Sequence, residues 1–163
     1  MKDLLEKVSS YNIFNNLLPG VVFVAVSSKL TAFNFIQQDI LVGFFMYYFI
    51  GLIISRIGSL FIGPLLKLVR FIRFAEYKAF LRASKVDGKI DVLSEANNMY
   101  RTIISMFIML GILKLYETFG EKWAILEEWK TEILITSLLL LFLFSYRKQS
   151  RFITKRIEAH EEG

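Results

Sequence analysis

The chain has 163 residues, twenty basic and fifteen acidic side chains, 55% hydrophobic residues and a mean hydropathy of +0.48. That length leaves little room for a multidomain enzyme. An apolar content above the ~45–50% of soluble domains, with 21% charged residues, points to a membrane protein. The absence of cysteine and the single histidine, His160, exclude disulfides, thiolate metal sites, His-pair metal sites and Ser-His chemistry within one chain.

A bilayer core of ~30 Å needs about 20 mostly apolar residues per helix. Four stretches are expected to span, at about 13–34, 40–66, 100–119 and 131–146, with a connector over 67–99 and a tail over 147–163. The expected fold is therefore a single all-α membrane domain of four transmembrane helices with helical extensions on the cytoplasmic side. Four small spans rarely enclose a path alone, so assembly as a homo-oligomer is expected.

The first stretch departs from a signal peptide, because Lys2 and Lys7 are balanced by Asp3 and Glu6 and because Asn15 and Asn16 precede the apolar run. It is expected to stay in the membrane. At 100° per residue, Asn16, Gly20, Ser27, Thr31, Asn34 and Gln38 fall within a sector of about 60° over roughly 33 Å. Such a strip suits the lining of a water-filled pore built from copies of this helix. It equally suits hydrogen bonding to neighbouring helices within the bundle. Pro19 either begins the regular helix or bends it.

The second stretch carries Gly51, Ser55 and Ser59 four apart on one face, which permits close helix approach. Pro64 marks its end or a kink. Arg56 lies roughly 24 Å along from Ile40, near the inner interface, where a long side chain can snorkel to water or phosphate. With Asn97 and Asn98 it forms a candidate gate. No Asp or Glu lies deep in any span, which argues against a proton relay or a carboxylate-driven transporter.

Residues 67–85 are expected to continue the second helix, projecting Lys67, Lys78, Arg82, Lys85 and Lys89 to one side. Two readings stand: an interfacial helix on anionic headgroups, or a positive vestibule for the phosphates of a nucleotide or oligonucleotide, to which Arg101 also contributes. Asp87-Gly88 reads as a turn, and Ser94 as the cap of the third span. The tail continues the fourth span as another basic helix bearing Arg147, Lys148, Arg151 and Lys155.

Fifteen of the twenty basic residues fall on the side of the two termini, giving about +6 there against about −2 on the opposite side. The positive-inside rule then places both termini in the cytoplasm. No P-loop, dinucleotide fingerprint, HExxH or GxSxG motif occurs, so neither an enzyme nor a cofactor is expected.

The segments YNIFNNLLPGVVFV at 11–24 and LSEANNMYRTIISMF at 93–107 resemble stretches of small four-span membrane effectors of bacterial anti-phage defence, of the Hailong type. The whole plan of the chain is similar to theirs. The resemblance implies a homotetrameric ion channel in the inner membrane, held closed from the cytoplasm by a short DNA oligomer made by a partner nucleotidyltransferase. Loss of that signal during infection would open it and depolarise the cell. A non-conducting anchor that recruits a cytoplasmic partner through the basic connector is the alternative.

Overall fold

The computed structural model describes the backbone of residues 2–120 and 128–161, and the side chains of 13–119 and 128–159. Lys2, Lys7, Glu121, Lys122, Glu127 and His160, used above for charge and chemistry, have side chains outside this set. Every regular element among the described residues is helical: α1 (Lys2–Leu30), α2 (Ile40–Ile57), a π segment (Gly58–Ile62), α3 (Gly63–Leu68), α4 (Tyr77–Val86), α5 (Lys89–Gly120) and α6 (Lys130–Glu161).

Among the described residues, three helical stretches are long and apolar enough to cross a membrane: Ile13–Leu30, Ile40–Leu68 and Lys89–Phe119. In α6 the uncharged run Ile133–Tyr146 has fourteen residues, about 21 Å of helix, which falls short of a ~30 Å hydrocarbon core.

α1 runs through Pro19 without interruption, so this proline neither begins nor ends it. The helix stops at Leu30 rather than Asn34, because the polar side chains beyond it bond to local backbone. Thr31 Oγ1 donates to the Ser27 carbonyl at 2.8 Å and accepts from Phe33 N–H, while Asn34 Oδ1 accepts from Ile36 N–H at 3.0 Å. α2 then begins at an Asp39 cap whose carboxylate accepts from Val42 N–H at 2.9 Å, a contribution of about 1 kcal/mol.

The expected continuous helix over 67–85 is not formed. α3 ends in a turn in which Arg70 N–H donates to Lys67 O and Phe71 N–H to Leu66 O, with Arg70 at φ 60. This is the Schellman pattern, with arginine where glycine is usual. The chain resumes as α4, a separate amphipathic helix. Ser94 is not a cap either. α5 starts five residues earlier at Lys89, whose N–H bonds the Asp87 carboxylate at 3.0 Å.

α1, α2 and α5 pack around Phe23, Val24, Ile54, Met106 and Leu110. Two glycines set the α1–α2 crossing. A Cβ at Gly20 would lie 1.8 Å from Tyr47 O, and one at Gly51 would lie 1.7 Å from Asn16 O, so backbone meets backbone. Ser105 Oγ donates to Ile54 O at 2.9 Å and ties α5 to α2. α6 packs on α2, with Phe49 and Phe142 stacked at 6.0 Å. Its residues Leu139, Leu140, Leu143 and Phe144 stay exposed.

Candidate functional site

Four helical stretches converge on a polar cavity of about 310 Å³. α1 contributes Asn15 and Asn16. The second span contributes Ser55, Arg56, Ser59 and Leu60, α5 contributes Asn98 and Arg101, and α6 contributes Ser145, Lys148, Gln149 and Phe152. Three cations therefore share one cavity, and among the described residues no carboxylate lines it.

The local backbone explains how Lys148 is held there. Inside the π segment, Gly63 N–H donates to Gly58 O, five residues back. The Ser59 carbonyl thus loses its α-helical donor, and its next candidate, Pro64, has no N–H. Lys148 Nζ supplies the missing donor: it bonds the Ser59 carbonyl, and Ser59 Oγ at 2.8 Å. Burial, then the charges of Arg101 and Arg56, hold the Lys148 pKa below the ordinary lysine range.

α1 adds a parallel feature. Pro19 removes the helical donor of the Asn15 carbonyl, and the Asn15 side-chain Oδ1 is buried without a hydrogen-bond partner. Arg101 runs past Gly58 and Gly63, with its Cδ 3.4 Å from where a Gly63 Cβ would stand. Gly58 and Gly63, which begin the π segment and α3, thereby leave room for the stem of this arginine.

Of the residues expected to form a gate, Arg56 and Asn98 line this cavity, whereas Asn97 is exposed beside it on α5. Of the expected ligand contacts, Arg101 alone lines it. Lys67 sits at the exposed end of α3, Lys78, Arg82 and Lys85 lie on α4, and Lys89 begins α5, all exposed. The break at Arg70 prevents the single basic stripe expected of them.

The aligned strip on the first span is likewise not one helical face. Asn16 lines the cavity and donates Nδ2 to Tyr48 Oη at 3.5 Å, a long contact. Gly20 lies under α2, and Ser27 is fully buried, donating to Val24 O at 3.1 Å. Thr31, Asn34 and Gln38 follow the helix end. Packing within the chain uses Gly20 and Ser27, Asn16 lines the cavity, and Thr31, Asn34 and Gln38 belong to the connector.

Sequence reasoning missed Asn15, Lys148, Gln149 and Phe152 as site residues. The five-residue spacing of Ser59 and Pro64 held a signal, since a proline there leaves any π-type carbonyl unpaired. At the other end, Glu117 accepts from Ala32 N–H at 2.8 Å and pairs with Lys114 at 2.7 Å, fixing the α1 exit to α5. Comparison with protein-family models, with curated proteins and with solved structures finds no match.

Proposed function

We propose that the chain is the subunit of an oligomeric ion channel in a bacterial inner membrane, gated on its cytoplasmic side by a phosphate-bearing nucleotide or oligonucleotide, and serving as an anti-phage effector. The observation that carries the gating part is the gathering of Arg56, Arg101 and Lys148 in one cavity. Three half-buried cations lie together there, and an anion entering the cavity would take charge-assisted hydrogen bonds from them.

The two segments that carry the family resemblance meet in this cavity. Asn15 and Asn16 come from the first, and Asn98 and Arg101 from the second. The defence role rests on that resemblance. Conduction is supported by polar groups gathered between apolar helices, and self-association by the exposed apolar face of α6. In this reading α6 is the fourth span, its short apolar run ending at the inner interface, and both termini are cytoplasmic.

A second reading has its own observation. Burial of Gly20 and Ser27 inside the protomer favours a non-conducting receptor that signals anion binding to a partner. Potassium flux from liposomes containing the purified protein separates the two. Flux that changes when short oligonucleotides reach the cytoplasmic face supports the channel. Liposomes that stay tight with and without them support the receptor.

A further inference from the structure

The second span is long enough to cross the headgroups as well as the hydrocarbon. Ile40–Leu68 has 29 residues, about 43 Å of helix, against ~40–45 Å for a bilayer with both headgroup layers. With the Asp39 cap in one of those layers, Leu68 lies in the other. The turn at Arg70 then forms at headgroup depth, and the chain runs on from there into α4.

This stretch leaves large apolar side chains uncovered. Leu68 is 78% exposed and Phe71 77%, and Val69 and Phe74 are more than half exposed. They follow Phe61 and Leu65, which the second span also leaves exposed. Lys67, Arg70 and Arg73 are interspersed with them and exposed too. The boundary between headgroups and acyl chains suits both kinds of side chain. Aromatic rings enter it, and the stems of Lys and Arg carry their charge out to the phosphates.

α4 adds charge to the same surface. Its half-buried residues Tyr77, Phe80, Leu81 and Ser84 recur at helical spacing. Tyr77 packs edge-on against Phe152 of α6, with ring centroids 5.5 Å apart. The apolar side of α4 therefore rests on the protein, while Arg82 and Lys85 stay exposed. Over 67–87 the acids are Glu76 and Asp87, and the Asp87 carboxylate accepts from Lys89 N–H.

We infer that residues 67–85 form a docking surface for anionic phospholipid, with Phe71 and Phe74 at the top of the acyl chains and Arg70, Arg73, Arg82 and Lys85 on the headgroup phosphates. The surface is separate from the cavity of Arg56, Arg101 and Lys148, and it stands whether or not the protein conducts. Through Tyr77 and Phe152 it joins the lipid surface to α6, the helix that carries Lys148.

The test is lipid binding to the full chain in detergent, measured by native mass spectrometry. The probes are phosphatidylglycerol and phosphatidylcholine with the same acyl chains. Phosphatidylglycerol should bind about tenfold tighter or more. The triple variant Arg73→Gln, Arg82→Gln and Lys85→Gln should bring the two lipids to within about threefold. The set Arg73→Lys, Arg82→Lys and Lys85→Arg, which keeps the charge, should retain the preference and guards against loss of fold. A nitroxide on Phe74→Cys is unique in a chain without cysteine. In phosphatidylglycerol nanodiscs it should be relaxed more by oxygen than by an aqueous nickel chelate.

Equal affinity for the two lipids, or a label relaxed mainly by nickel, overturns the inference. A preference that survives the triple variant but is lost in Lys148→Gln assigns the lipid to the cavity and overturns it as well. So does a short oligonucleotide whose binding in phosphatidylcholine nanodiscs is abolished by the triple variant, with no preference between the lipids. That result makes the surface a nucleic-acid site.

Discussion

Lys148 Nζ donates to both oxygens of Ser59, a residue eighty-nine positions earlier, and so links α6 to the second span. It exists because the π segment and Pro64 together strip the Ser59 carbonyl of helical donors. Replacing Lys148 with Met strands that carbonyl at a cost of about 1–3 kcal/mol, whereas Ser59→Ala removes only the hydroxyl partner and costs about 0.5–1.5 kcal/mol. Thermal unfolding in detergent, followed by helicity, should order the two variants in that way.

The same lysine predicts a pH dependence. Its folded pKa lies below the ordinary 10.5, chiefly from burial and then from Arg101 and Arg56. In the window between the lowered value and 10.5 the unfolded chain holds a proton that the folded one has given up, so stability rises with pH there. Below the lowered value both states are protonated and the burial penalty is present in full. Across the window the melting temperature of the native chain should climb relative to Lys148→Met, and parallel curves would contradict this.

Gly20 and Gly51 should tolerate no side chain. Either alanine drives a Cβ to within 2 Å of a facing carbonyl oxygen, and forcing α1 and α2 apart costs about 1–3 kcal/mol. Gly111 is the control. Nothing lies within 4 Å of its would-be Cβ, and it sits inside α5, so Gly111→Ala should be neutral or gain up to about 1 kcal/mol.

Arg70 holds a left-handed conformation at φ 60 without the freedom of glycine. Arg70→Gly should raise stability by about 1 kcal/mol and preserve the turn. A β-branched residue such as valine should lower it, as read by the same unfolding assay.

Ser27 bonds within its own helix and is shut off from solvent. Ser27→Ala should therefore leave single-channel conductance unchanged, and a changed conductance would return it to a pore lining. Charge reversal on α4 at Lys78, Arg82 and Lys85 should shift ligand affinity in a salt-dependent way without abolishing it, because exposed charges act at a distance and are screened.

Three apolar helices were legible from residue order, because length and hydropathy are local properties. The end of α1 was not. Thr31 and Asn34 continue a helical strip on paper, yet their side chains bond nearby backbone and halt the helix. Nor was the break after Leu68, since KLVRFIRF offers no glycine or proline and the turn is made by an arginine. Arg56 and Asn98 were grouped with Asn97 as a gate, and Arg101 was assigned to ligand contact with the connector lysines. Only tertiary packing brings them beside Lys148, which in sequence is one basic residue among several in a tail.

The most direct measurement is a cryo-electron microscopy map of the protein in nanodiscs, incubated with a short phosphate-bearing oligonucleotide. The expected result is a symmetric oligomer with density in each protomer's cavity, touching Arg56, Arg101 and Lys148. A monomer, or ligand density on α4 with the cavity empty, would contradict the account.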